Sequence, residues 1–307
     1  MGEVREKAIF AGVVALLVGV AGVAYFAMLG PAPAPLAPGA RPGQAEKLVV
    51  AQTTGEVAIR RGGKAGPAEP AVPGATLRAD DVVETGPDGV VSLEASGSFR
   101  VELESGSLFA VKEITAELAR FRLASGLASA SVRDDPVRSV EIEAGTGARA
   151  KTRGGDLRVS ATGRVAALAV TRGEAELSAG GRVVVVRAGQ QALSVEGGTP
   201  SAPAPIPSSL LLKVVWPAEK ATNQRRLTVT GRTAPGAVLA LQGRSVKVEP
   251  DGTFRHVVYL REGRQRLTAT GRDVAGHEVT ERSAEILLDT RGAPAEFETD
   301  GLWKDRH

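Results

Sequence analysis

The sequence predicts an all-β chain, two β domains in series behind one N-terminal transmembrane helix. Three observations predict it. Thirty-seven glycines and eighteen prolines punctuate short valine-rich runs in a chain of 307 residues, the punctuation of many short strands joined by turns. Within those runs apolar and polar residues alternate with period two. Residues 8–29, AIFAGVVALLVGVAGVAYFAML, carry no charge at all.

That apolar run comes first in the chain. As a helix it would be about 33 Å long, enough for a hydrocarbon core of about 30 Å. A soluble core helix of this length would show a polar side, and this run shows none. Arg5 and Lys7 precede it, and the next charged residue is Arg41. The positive-inside bias then makes residues 1–7 a cytoplasmic stub and puts everything after Leu29 outside. The expected location is a bacterial inner membrane, single-pass, with the bulk of the chain periplasmic. A cleavable signal peptide is the competing reading. Its apolar region usually runs about 7–15 residues, and the cleavage-like Ala32-Pro33-Ala34 is followed by Pro35. Either outcome exports the rest.

Residues 30–47 are Pro/Ala-rich and read as a semi-rigid spacer. Residues 48–196 form the first patterned region. In FRVELE, Phe99, Val101 and Leu103 share one face, with Arg100, Glu102 and Glu104 on the other; SVEIE at 139–143 and DLRVS at 156–160 repeat the scheme. Each is a half-buried strand. Glycines at 86, 89, 97, 106, 126, 145, 154, 163, 173, 180 and 189 mark breaks between short strands. Residues 112–121, KEITAELARF, fit a helix or a strand equally well. The four consecutive valines in RVVVVRAGQQALSV, 182–195, read as a strand buried on both faces or at a packed centre. Residues 197–209 are a second Pro-rich linker.

Residues 210–290 hold seven strand candidates: LLLKVVW, RRLTVTG, AVLALQG, RSVKVE, TFRHVVYL, QRLTATGRD and RSAEILLD. That density is the footprint of an immunoglobulin-like sandwich without its disulfide. Residues 291–307 read as a short polar tail; Phe297, Leu302 and Trp303 could dock, but fraying is the commoner fate of such ends.

The composition narrows the chemistry. Zero cysteine removes disulfides, thiolate metal sites and cysteine nucleophiles together. Net charge is +3, yet residues 210–288 alone hold thirteen Lys or Arg against eight Asp or Glu. An excess of this kind suits anionic partners such as envelope polysaccharide or phospholipid headgroups, but a solvated basic surface in an arginine-rich chain is the simpler reading. The adjacent carboxylates Asp80 and Asp81 raise the question of a metal or acid/base site. His256, His277 and His307 have no metal-ligand spacing, and no phosphate-binding or nucleophile-elbow motif opens a helix. No catalytic, cofactor-binding or metal-ligating residue is therefore assigned, no cofactor is expected, and the chain reads as a non-enzyme with no nucleic-acid partner. Asp251, Asp273 and Asp289 lie in loops suited to calcium. Against that, Asp251-Gly252 suits a type I′ hairpin, and Asp273 can cap its own turn.

The residues also carry two resemblances. Gly55-Glu56-Val57, Gly74-Ala75-Thr76-Leu77, Asp81, Thr85-Gly86 and Ala95-Ser96-Gly97-Ser98 follow one another in the order of the FecR-like domain. Arg153-Gly154-Gly155, the Val170–Ala175 hairpin and Ala188-Gly189-Gln190-Gln191 continue it. The first region thus resembles a FecR-like β domain, sandwich or short solenoid. Asp80 stands at that family's glycine, and Ser96 at its aspartate. Asp81 then keeps the family's aspartate, expected to accept backbone N–H bonds in its turn, while Asp80 must tolerate a left-handed backbone or mark an altered turn.

The second region resembles the bacterial Ig-like domains akin to domain B of glucodextranase. Ala234-Pro235-Gly236-Ala237-Val238, Pro250-Asp251-Gly252-Thr253-Phe254, Leu260-Arg261-Glu262-Gly263 and Asp273-Val274-Ala275-Gly276 stand in that order. His277 replaces the family's asparagine.

FecR-like resemblance implies a periplasmic protein-interaction module. Its best-known members also hold a sigma factor with a cytoplasmic domain, which the seven residues before the apolar run cannot supply. The expectation is a membrane-anchored periplasmic binding, scaffold or signalling protein with an envelope-protein partner. Two alternatives stand beside it: binding of peptidoglycan or anionic polysaccharide, and regulation of a sigma factor through a separate cytoplasmic partner.

Overall fold

The computed structural model describes residues 47–145, 147–218 and 221–290, and every regular element among them is a β-strand. No helix among the described residues is long and apolar enough to cross a membrane. The expected transmembrane helix at 8–29, the spacer before it meets Lys47 and the tail after Thr290 lie outside the described residues.

Fifteen strands precede the Pro-rich stretch. They are β1 (Leu48–Thr54), β2 (Val57–Arg60), β3 (Ala68–Pro70), β4 (Thr76–Leu77), β5 (Val82–Thr85), β6 (Val90–Ala95), β7 (Phe99–Leu103) and β8 (Leu108–Ile114). There follow β9 (Leu118–Val132), β10 (Ser139–Ala144), β11 (Arg149–Thr152), β12 (Gly155–Thr162), β13 (Val165–Ala179), β14 (Arg182–Arg187) and β15 (Gln190–Val195). Within the Pro-rich stretch, β16 (Ala204–Pro205) pairs with β15.

These strands make two sheets that share two long strands. The first runs β4-β1-β6-β7-β9-β12-β13-β15-β16, and the second β3-β2-β5-β8-β9-β10-β11-β13-β14. β9 pairs β8 and β10 through Ser125, then β7 and β12 from Gly126 onward. β13 likewise leaves β12 and β15 and joins β11 and β14 around Gly173. Two glycines expected to end strands therefore bend continuous 15-residue strands instead. Gly126 has φ of +99°, and a Cβ there would overlap Ser107. Only glycine turns this corner without strain.

Alternation fills the space between the sheets. Phe99, Val101 and Leu103 of β7 are buried, as are Leu157 and Val159 of β12. Phe121 stacks on Phe109 at 5.0 Å and meets Phe99 edge-on at 5.7 Å. Residues 112–121, open to two readings, are the end of β8, a turn closed by the Thr115 N–H donating to the Leu118 carbonyl, and the start of β9. The Lys112 to Phe121 alternation had a helical look only because its turn holds no glycine or proline.

The four valines of β14 correct the expectation of burial on both faces. Val184 and Val186 face the core, but Val183 and Val185 stand on the outside, 56% and 39% exposed. β14 is the edge of its sheet, paired only with β13 among the described residues. The valine run says that the strand is apolar, not that it has a neighbour on each side.

The second body adds β17 (Leu212–Val215), β18 (Ala221–Thr222), β19 (Arg226–Thr233), β20 (Val238–Leu241), β21 (Arg244–Val246), β22 (Thr253–Tyr259), β23 (Gly263–Gln265), β24 (Thr268–Arg272), β25 (Glu278–Arg282) and β26 (Ile286–Leu288). Its sheets run β17-β19-β22, β21-β20-β24-β25 and β18-β26-β23. They close on their own core, in which Val229, Leu239, Leu241, Phe254, Leu267 and Ile286 are buried. All seven expected strands are present. The type I′ expectation at Asp251-Gly252 is corrected: Gly252 has φ of +83° and Asp251 does not have a positive φ, and the Gly252 N–H donates to the Glu249 carbonyl. That is a type I turn with a glycine bulge. Gln242 (φ 50°) and Gly243 (φ 74°), between β20 and β21, have the two positive φ values of a type I′ turn.

The two bodies meet along a seam of small side chains. Ala167 and Ala169, on the outward side of β13, are buried with Val274. Ser160 Oγ donates to the Gly236 carbonyl at 2.8 Å, a buried bond between residues 76 apart in sequence. Arg272 of β24 pairs with Glu104 across the seam and with Glu278 at 2.6 Å. The Arg158 guanidinium lies where a Cβ on Gly276 would sit. The seam uses the first sheet's outer face and leaves the second sheet's outer face elsewhere.

Candidate interaction surfaces

Asp80 and Asp81 part ways in the structure. Asp80 has φ of 68°, the left-handed backbone that aspartate tolerates, and its side chain is exposed, 3.7 Å from Lys112. Asp81 is buried. It accepts the Arg61 Nη1–H at 2.7 Å, the Arg78 backbone N–H at 3.0 Å and the Gly62 backbone N–H at 3.2 Å. Burial by itself pushes this carboxyl up, but the Arg78 N–H, the Arg61 guanidinium and the Gly62 N–H outweigh it and hold Asp81 below the usual range. The Arg61 partner was not foreseen, because nothing local in the sequence ties residue 61 to residue 81. The pair is architecture.

The remaining candidates stay apart. His277 receives its fold role from Asp273, which accepts the His277 backbone N–H and contacts Nδ1, both at 2.8 Å. Asp251 accepts the Thr253 hydroxyl and N–H, which hold its carboxyl low. His256 lies half-buried on β22, and His307 lies outside the described residues. Among the described residues no three His, Cys, Asp or Glu side chains gather where they could hold a metal ion.

Two outer faces differ sharply in charge. On the second sheet, register places Glu113, Arg120, Glu141 and Lys151 in one cross-strand row, and Arg122, Glu143 and Arg149 in the next. Signs alternate and the neighbours pair: Arg120 with Glu113 at 3.4 Å and Glu141 at 3.2 Å, and Arg122 with Glu143 at 3.6 Å. Such cross-strand pairs each stabilise a sheet by about 0.2–1 kcal/mol. This face is self-neutralised, and it ends at the open edge of β14.

The outer face of β17-β19-β22 carries one sign. Register sets Lys213 beside Arg232, Val215 beside Thr230 beside Arg255, Thr228 beside Val257, and Arg226 beside Tyr259. Val229, Phe254 and Val258 on the alternate positions are buried, so this row points outward. Among the described residues none of Lys213, Arg226, Arg232 and Arg255 forms an ion pair; Arg232 hydrogen-bonds the Asp251 carbonyl at 3.4 Å. Asp251 is the carboxylate at that end of the face. Tyr259 is 64% exposed and Val215 57%. Residues 256–259 also line a groove of about 570 Å³ with Arg244, Arg261 and Arg264. Sequence reading found the charge excess, but only register collects it on one face.

No curated protein sequence matches the chain. Among solved structures, it is similar to a candidate anti-sigma factor from Parabacteroides distasonis ATCC 8503. The match has 16% identity and a TM-score of 0.36, covering 40% of this chain and 59% of that one. A second structure with that description shows 20% identity and a TM-score of 0.31, covering 35% of this chain and 51% of that one. The chain thus spans between half and three fifths of their length. Fibronectin(III)-like modules of Clostridium thermocellum CbhA match at 12% identity and a TM-score of 0.22, over 59% of this chain and 94% of theirs. Both resemblances read from the sequence are met by family models: residues 81–176 match the FecR protein family, and residues 212–288 match glucodextranase domain B.

Proposed function

We propose that this chain is a non-enzymatic binding protein of the bacterial cell envelope, anchored in the inner membrane through residues 8–29 and acting in signalling through protein contacts of its FecR-type domain. The match of residues 81–176 to the FecR family supports the signalling role. The observation that carries the reading is the edge strand β14. It offers an unpaired strand flank among the described residues, exposed Val183 and Val185, and an arginine at each end. An extended segment of a partner added there would complete backbone hydrogen bonds and cover the two valines. Folded proteins usually blunt such an edge. Here Arg182 and Arg187 flank the two valines, and Arg187 pairs with Glu174 at 3.9 Å.

The test is crosslinking in intact membranes with the wild type and with Val183→Lys/Val185→Lys. The expected result is an envelope protein recovered with the wild type and lost with the variant. Recovery of the same set with both proteins would remove β14 as the contact surface.

A further inference from the structure

We propose that the outer face of β17-β19-β22 binds an anionic polysaccharide. The inference deepens the envelope-binding reading by naming a second ligand class, and it uses a surface separate from β14.

The charge on this face does not converge. Arg226 and Arg232 lie six residues apart on β19, about 20 Å along the strand, and neighbouring strands add about 5 Å each. Cations spread over that span cannot surround one small anion. They match repeated negative charges along an extended polymer, each contact weakened by salt. Between the cations stand Thr228 and Thr230, whose hydroxyls both donate and accept, as sugar hydroxyls do. Tyr259, opposite Arg226, presents an amphipathic ring at one end of the row. Past it, Arg244, Arg261 and Arg264 line the adjoining groove together with Glu262; Arg264 pairs with Glu285 and Glu262 with Arg225, each at 3.4 Å, so the groove keeps a net positive charge.

A bilayer is the other anionic surface such charge would meet. Membrane-surface segments bury a large apolar face in the headgroup boundary. This row offers Val215, Val257 and Tyr259 between threonines and arginines, with no continuous apolar stripe. The hydroxyl-rich row favours the glycan.

The experiment uses the full chain in zwitterionic detergent and measures binding to polygalacturonate, with neutral dextran, phosphatidylglycerol vesicles and duplex DNA as comparisons. The expected result is binding to polygalacturonate that weakens at least tenfold between 50 and 300 mM salt (roughly, for several released counterions), and none to dextran. Arg226→Ala/Arg232→Ala/Arg255→Ala should weaken it about tenfold or more. Lys47→Ala/Lys64→Ala/Arg153→Ala removes equal charge from exposed positions of the first domain and should change it less than about twofold. Tyr259→Ala should weaken it severalfold without altering the salt slope. Equal losses from both triple variants would reduce the effect to net charge and overturn the proposal. So would absence of polygalacturonate binding, or equal or tighter binding of vesicles or DNA. Crosslinking at β14 reads the protein-contact function independently, so either reading can fail alone.

Discussion

Arg61 Nη1 lies 2.7 Å from Asp81 Oδ2, and this pair ties the end of β2 to the turn that opens β5. The same guanidinium nitrogen donates to the Thr76 carbonyl at 2.9 Å, so one side chain joins three stretches of backbone. Asp81 is buried and Arg61 only partly so, which makes the carboxylate the member that depends most on its partners.

Asp81→Asn would keep the shape and lose the charge. The amide can accept through one oxygen, but its NH₂ must then face a donor. The expected cost is about 1–3 kcal/mol, read as a lower urea midpoint. The pH dependence has a definite sign. Asp81 titrates lower in the folded chain than in the unfolded one, where a carboxyl titrates near 3.9. Its contribution is therefore complete above about pH 4 and is lost as pH falls through the folded value. The wild type should lose more stability than Asp81→Asn as pH drops from 5 toward 2. Equal losses would show that Asp81 contributes nothing to acid sensitivity.

Asp81 also marks how far the sequence could be read. Its turn role, the half-buried alternation of β7 and β12, and the strands of the second domain were visible because local patterns report local backbone. Relations between distant residues were not. Arg61 is twenty residues from Asp81, and Ser160 is 76 from Gly236. Nothing in either neighbourhood specifies the other. β14 shows the same limit, because four valines look alike at a sheet centre and at its edge. The basic face needed the register of three strands before scattered arginines became one surface.

Gly126 is where β9 passes from one sheet to the other. Its positive φ and the closeness of Ser107 leave no room for a side chain. Ser107 secures the corner, its Oγ donating to the Glu104 carbonyl at 2.6 Å and accepting the Leu127 N–H at 3.1 Å. Gly126→Ala should cost about 2–4 kcal/mol, from left-handed strain and overpacking together. An equal change at Gly181, which also has positive φ but nothing within 4 Å of a Cβ, should cost only the strain, about 1–2 kcal/mol. Equal melting temperatures for the two variants would contradict the corner's role.

The seam between the domains yields a prediction about cooperativity. Ala167 faces outward from its own sheet and is buried there beside Ala169 of the same strand, in a cluster with Val274 of the second body and with Leu193 and Ile206. A Cβ on Gly236 would come within 3.1 Å of the Ala167 Cβ, so the two backbones approach with no space for a longer side chain. Ala167→Glu would place an unpaired carboxylate in that contact, a charge that the seam can accommodate only by opening. Neither domain core contains Ala167, and both should remain folded. Calorimetry of the wild type is expected to give one transition, because unfolding either body exposes the other's half of the seam. The variant should give two, with the domains melting independently. Ser160→Ala removes the hydroxyl donated to Gly236, should cost about 1 kcal/mol, and should keep the single transition. A single unshifted transition for Ala167→Glu would mean that the seam carries no coupling between the domains.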